Sequence, residues 1–294
     1  MQTFLPYADF RRCAEALDDR RLGKQRVEVL QILRALELEE YGWRNHPAVR
    51  MWQGCTPTLV DYGLACTRRW VSLGHADTTA ALVGEFLRRP PGLDLPEPPP
   101  WLGWEALHRS HRLALYGKDP DFYGARFSDV AAAHEHDPSG ASVYVWPEPP
   151  APRHEPGARS AWVAGTPANL TEDVIALPVA SATQRRGTKA SRMVDRFLHE
   201  VCVGDRVVAA AASSDTGQAW ANRDLSEWEL AGWELADREL QVGRIATPAR
   251  LSDAGTHHLR GVAWERTRRR GDLRRPAQLQ DPRPFFALHD EPSL

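Results

Sequence analysis

The chain has 294 residues, 42% hydrophobic and 26% charged, with a formal net charge of −2. That length can hold two cores of ordinary domain size, and the composition is that of a globular protein. It excludes a membrane span, because no run approaches the roughly 18 apolar residues one needs, and the net charge by itself favours no partner class. Residues 1–12 lack a basic region followed by an apolar core, so no signal peptide is expected. Cys13, Cys55, Cys66 and Cys202 lie far apart, with no pair at metal-ligand spacing. The expectation is reduced thiols in a cytoplasmic setting, with no disulfide framework, no metal and no cofactor.

From about residue 10 to 127 the sequence reads as helices. Across 21–38, apolar residues recur at intervals of three and four, at Leu22, Val29, Ile32, Leu33 and Leu36, with Val27 and Leu30 beside them. Similar spacing marks 59–73 and 78–87. Prolines punctuate at Pro47, Pro57 and through 90–100, a run that cannot be helical. A further helix is expected over 105–116, ended by Asp119 and Pro120. From about 134 to 159 the composition turns to Pro, Gly, Ser and His, which marks a linker. The linker is placed at 148–160, between domains 1–147 and 161–294. Within this stretch SVYVW, residues 142–146, reads as a short strand closing the first domain.

After residue 160 the period turns toward two. Strands are expected at 161–164, 205–211, 240–245 and 258–264, with one helix at 190–201. No internal repeat is found. The fold class is multi-domain: an all-α N-terminal domain followed by an α+β domain built on a small β-barrel.

The polar signals concentrate in RRLGKQRVE, residues 20–28, and YGWRNHPAVRMW, residues 41–52. At helical spacing Arg21, Lys24 or Gln25, and Glu28 share one face, so a carboxylate, a cation and an amide can point into one groove. The Asn45-His46-Pro47 turn can return further polar groups towards it. Plainer readings stay open: Lys24 and Glu28 as a surface ion pair, and His46 as the cap of a turn. His108 and His111 share one helical turn and either line a pocket or form a polar face; a third metal ligand is not evident.

The segments MQTFLPYADF, LDDRRLGKQRVEVLQILRAL, YGWRNHPAVRMW and LHRSHRLALYGKDPDFY resemble the pyrimidine-dimer DNA glycosylase family of the endonuclease V type, over residues 1–147. The resemblance implies a compact helical fold that binds duplex DNA and extrudes a base. It also implies a carboxylate near a helix start that stabilises the sugar cation. Glu28 takes that place, with Lys24 and His46 as further catalytic candidates. Arg26 and Arg50 are assigned to phosphate, Asn45 and His46 to the pocket, and Arg21, Gln25, His108, His111 and Lys118 to the same DNA- and base-binding set. In the family the nucleophile is the α-amino group bared by removal of the initiator methionine. Here Gln2 is a large residue expected to discourage that removal, and an ungapped alignment puts Gly23 where the family has its key glutamate. Water is then the expected nucleophile, with Lys24 second and lost activity third.

In the second half HEVCVGDRVVAAAA, LQVGRIATPARL and HHLRGVAWERTRRRGDLRRPAQLQDPRPFFAL resemble EVE/PUA-like domains, small barrels that recognise modified bases. The implied α+β domain is a PUA-like β-barrel. Of Trp162, Trp220, Trp228, Trp233 and Trp264, the first and last are singled out for stacking on a base, against the alternative that such tryptophans are core. Arg185, Arg186, Lys189 and Arg192 can meet phosphate. Nine arginines between 241 and 275 face only three carboxylates, which suits either a phosphate-binding or a solvated face. The pairing implies a DNA N-glycosylase that excises a modified or damaged pyrimidine, with phage genomes carrying modified cytosines as one target. The alternatives are a dimer-repair glycosylase/lyase and a non-catalytic binder of modified nucleic acid. The expected partner is double-stranded DNA carrying a modified base, with no membrane and no obligate protein partner.

Overall fold

The computed structural model describes residues 1–87, 98–136, 144–153, 157–165, 170–171, 173–179, 189–210, 237–291 and 294. The described residues fall into two compact units, residues 1–37 with 41–153, and residues 38–40 with those from 157 onward. No described helix is long and apolar enough to cross a membrane.

The first unit is helical: α1 (Phe10–Ala16), α2 (Asp19–Glu37), α3 (Pro47–Arg50), α4 (Thr56–Ser72), α5 (Ala80–Gly84), α6 (Glu105–Tyr116), α7 (Pro120–Tyr123) and α8 (Ser128–His136). The expected three-and-four periodicity of α2 buries Leu22, Val29, Ile32, Leu33 and Leu36. Gln25 and Glu28 lie on the buried side with them. Asp119 and Pro120 start a helix rather than only ending one. The Asp119 carboxylate accepts the Phe122 N–H at 3.1 Å, and proline suits the first turn, where its missing N–H is not needed. Residues 2–5 are buried although they form no helix or strand.

Of the expected strand at 142–146 only Tyr144, Val145 and Trp146 fall within the described residues, and these form no strand. Among the described residues of this helical unit there is no sheet edge to complete their ladder. The Val145 N–H instead donates to Ser110 Oγ at 3.1 Å, and the two rings pack on histidines.

The second unit holds β1 (Arg159–Ala164), β2 (Leu170–Thr171), β3 (Val174–Pro178), α9 (Lys189–His199), β4 (Arg206–Ala210), β5 (Glu239–Ile245), β6 (Arg250–Leu251), β7 (His257–Arg269) and β8 (Phe285–His289). They form one curled mixed sheet in the order β2-β3-β7-β5-β4-β1-β8, with β6 beside β7. Only β1 and β4 run parallel. Among the described residues no pairing joins β2 to β8, so the expected barrel is an open half-barrel.

Both faces of this sheet are covered around β1, β4 and β8. Trp162 and Ala164 of β1 point to the face that buries Phe197 of α9, while Ala161 and Val163 point to the face that holds Leu273 and Leu294. Strands buried on both sides carry continuous apolar runs instead of alternation. That is why β8 (FFALH) escapes a period-two search, whereas β3 (VIALP) buries only the alternate Ile175 and Leu177 but carries apolar Val174 and Ala176 between them.

Packing of α2 on α4 rests on a missing side chain. A Cβ at Gly63 would lie 2.7 Å from Val29 Cγ1 and 3.2 Å from Val83 Cγ1, both on fully buried residues. A β-branched side chain in a helix has essentially one rotamer, so Val29 cannot swing away. Gly63→Ala should therefore lower the thermal midpoint by a few degrees, overpacking of about 1–3 kcal/mol exceeding the roughly 1 kcal/mol gained in helix propensity. A midpoint at or above the unsubstituted protein's would show that the α2–α4 contact is looser than this.

Candidate active site

The site is built where the first residues of the chain cross α2 and α6. Gln25, fully buried, uses every hydrogen-bonding position of its amide. Its Oε1 accepts the Phe4 N–H at 2.8 Å and the Tyr62 hydroxyl at 2.6 Å. Its Nε2 donates to the Gln2 carbonyl at 2.8 Å and to Glu28 Oε2 at 3.2 Å. One side chain thus pins residues 2–4 along α2 as a neighbouring strand would.

That clamp brings the start of the chain onto Glu28. The Glu28 carboxylate is buried, with Oε2 accepting the Gln2 N–H at 3.2 Å. Two cations meet its Oε1: the α-amino nitrogen of Met1 at 3.5 Å and Lys24 Nζ at 3.3 Å. The Lys24 side chain is 68% exposed, so one partner is inside and the other reaches from solvent. Lys24–Glu28 is therefore an i, i+4 ion pair whose carboxylate end is buried, unlike an ordinary surface pair.

From α6, His108 and His111 fix the other side of the same segment. His108 Nε2 accepts the Gly103 N–H at 3.1 Å, which leaves Nδ1 to donate to the Leu5 carbonyl at 2.8 Å. His111 Nδ1 accepts the Leu5 N–H at 3.3 Å and lies 3.4 Å from Gln2 Nε2. Its proton then sits on Nε2, which like Gln2 Oε1 is buried and has no hydrogen-bond partner among the described residues. Burial pushes the His111 pKa down to about 3, with His108 adding to the effect.

His46 caps α3, its Nδ1 accepting the Ala48 N–H at 3.1 Å, so that Nε2 carries the proton. Its pKa is lowered by burial and by the N-terminal ammonium, against the opposing pull of Glu28. A neutral imidazole is a weak source of protons, which counts against His46 or His111 as the imidazolium acid that protonates a leaving base. Tyr144 and Trp146 lie close by. Tyr144 stands 5.2 Å from the His111 ring, and Trp146 meets His46 edge-on at 6.3 Å. The Tyr144 hydroxyl is pushed up to about 12 by burial and by the charge of Glu28.

The remaining expected site residues divide by what they already touch. Arg26 pairs with the buried Asp77 and lies over the Trp70 ring, so it is not a free phosphate ligand. Arg21 is bound by Asp18 at 2.6 Å and donates to the Lys118 carbonyl at 3.1 Å, so it too is engaged within the unit. His108, with both nitrogens bonded and 3% exposed, positions the backbone and does not face a ligand. Asn45, Arg50 and Lys118 are exposed. In the second unit Trp162 is core: it is 1% exposed, stacks on Phe285 at 5.2 Å and donates to Asp205 at 3.0 Å. That burial removes it as a base-stacking surface. Trp264 is half-buried against the same core. Lys189 opens α9, but its side chain lies outside the described residues, as do Arg185, Arg186, Trp220, Trp228 and Trp233.

Gly23 also finds its reason. A side chain there would meet the Trp70 ring at 2.9 Å. Gln2, Tyr62, Tyr144 and Trp146 carried no periodic signal and join the site only through tertiary contact. Among the described residues no three His, Cys, Asp or Glu side chains gather as a metal site.

Residues 1–82 match the family model described as pyrimidine dimer DNA glycosylase. No curated protein and no solved structure matches the chain.

Between pH 6.5 and about 3 the unfolded chain holds a proton on His111 that the folded chain does not. Stability therefore falls as the pH drops through that window, and the contribution is fully restored above pH 6.5. His111→Asn, whose amide oxygen can replace Nδ1 as acceptor for the Leu5 N–H, should show a shallower loss of thermal midpoint between pH 6.5 and 4. Identical slopes for both proteins would mean that His111 is not the group responsible.

Proposed function

We propose, taking the match over residues 1–82 as premise, that the chain is a DNA N-glycosylase that draws a modified or damaged pyrimidine from duplex DNA and leaves an abasic site. What supports this above all is Glu28, a buried carboxylate held by fixed N–H partners within the matched residues. Breaking an N-glycosidic bond develops positive charge on the sugar, and a carboxylate fixed nearby lowers that barrier without having to reorganise. Extruding the base costs a few kcal/mol, least for a lesion that stacks poorly, which biases the enzyme towards damage.

Water attacks the sugar in the leading reading, with Lys24 and the α-amino group as the counter-ions beside Glu28. The distances favour one second reading. Two amines stand within 3.5 Å of Glu28 Oε1, so either, after giving up a proton, can instead attack the sugar carbon and expel the base, the ring then opening to an imine that permits strand cleavage. Borohydride trapping of a covalent protein–DNA adduct distinguishes the two: the water reading expects none.

The finer substrate is proposed as a modified cytosine, such as those in phage genomes, with the second unit as reader and the cytoplasm as the setting. Support for this comes from the similarity of that unit's sequence to EVE/PUA-like domains. With Trp162 in the core, Trp264 is the remaining aromatic candidate in that unit among the described residues.

The test is a gel assay on labelled duplexes holding plain cytosine, hydroxymethylated cytosine, glucosylated cytosine or a thymine dimer, with and without alkali. Alkali-dependent breaks at one modified base, reduced at least a hundredfold in Glu28→Gln with binding retained, are expected. Breaks only at the dimer would replace the modified-cytosine substrate with ultraviolet damage. Binding without breaks on any duplex would leave a non-catalytic DNA binder.

A further inference from the structure

We infer that Trp43 is a wedge, the side chain that enters the gap left in a DNA duplex when a base is drawn towards Glu28. The inference rests on the DNA N-glycosylase function proposed above. Trp43 is 67% exposed, the most exposed of the large hydrophobic side chains among the described residues. An indole left this open in a unit that buries Trp52 and Trp101 completely has no packing role of its own.

Its backbone is also unusual. Trp43 has φ +67°, in the left-handed region that bulky L-residues avoid. The turn is fixed in that state by the His46 N–H, which donates to the Trp43 carbonyl at 2.9 Å. His46 is itself locked as the cap of α3. A strained backbone held by its surroundings is characteristic of places where a side chain must be presented in one direction.

The location suits the role. The Trp43 ring lies 6.0 Å from His46, edge to face, and His46 feels the charges of Glu28 and of the Met1 α-amino group. Trp43 therefore stands beside the site, with Asn45 and Arg50 exposed in the same short segment to meet sugar and phosphate. An aromatic ring inserted at a base step stacks on the neighbouring bases and offsets the stacking lost on extrusion, whatever the sequence. Trp104, 50% exposed and with φ −67°, has neither the strained turn nor the contact with His46 and serves as a control.

The experiment measures binding of the full chain to an intact duplex and to one carrying a tetrahydrofuran abasic analogue, whose missing base provides the gap. Trp43→Ala should weaken binding to the gapped duplex about tenfold and leave the intact duplex within twofold. Trp43→Phe should restore most of the preference, and Trp104→Ala should not alter it. Unchanged thermal midpoints, expected for an exposed residue, separate the effect from misfolding. A native protein with no preference for the gapped duplex, a Trp43→Ala protein that keeps its preference, or an equal loss on both duplexes would each overturn the wedge. The readout needs no turnover, so the wedge can hold where excision is absent on every duplex, and can fail where excision is present.

Discussion

A single buried amide organises the helical unit. Gln25 sits on the apolar side of α2, where an unpaired amide would cost several kcal/mol. Four partners satisfy it: the Phe4 N–H, the Gln2 carbonyl, the Tyr62 hydroxyl and the Glu28 carboxylate. Three of these come from elements far from α2 in sequence, or from a stretch without regular structure. Residues 2–4 can be buried without helix or strand because Gln25 takes up the backbone groups that would otherwise be orphaned. Everything proposed for the site, from the cations on Glu28 to the histidines under Leu5, follows from that fixed path of the chain.

The electrostatics of the same region divide its ionisable groups into charged and neutral sets. Glu28 is buried yet faces two cations and two neutral N–H donors, a combination that compensates a carboxylate for lost water. His111 and His46 sit nearby with lowered pKa values. The result is a negative centre bordered by neutral rings, suited to stabilising a cation that forms in front of it.

The second unit solves a different problem. Its sheet carries apolar side chains on both faces, so one face needs α9 and the other needs the C-terminal segment. Glu291 anchors that segment: fully buried, it accepts the Arg274 and Arg275 backbone N–H groups while its own N–H donates to Ser160 Oγ. Trp162 is drawn into this core because β1 lies within the sheet, between β4 and β8, with both sides covered.

The α2 and α6 helices, the shift from helices to strands after residue 160, and the shared face of Gln25 and Glu28 were all legible in the sequence. Each depends on spacing along one element, where 3.6-residue and two-residue periods put side chains on predictable faces. Strand β8 was not legible, because burial on both sides erases alternation, and β3 was not because apolar Val174 and Ala176 stand between its buried Ile175 and Leu177. Nor was the fate of the single side chains. Arg26 looks like a phosphate ligand until Asp77 is brought to it, and Trp162 like a stacking surface until Phe285 is. The path of residues 2–5, the meeting of Met1 with Glu28, the neutral state of His111 and the exposure of Trp43 were decided by tertiary structure alone. They depend on contacts between residues tens of positions apart, and burial and charge pairing are set by what folds against a side chain, not by its place in the order of the chain.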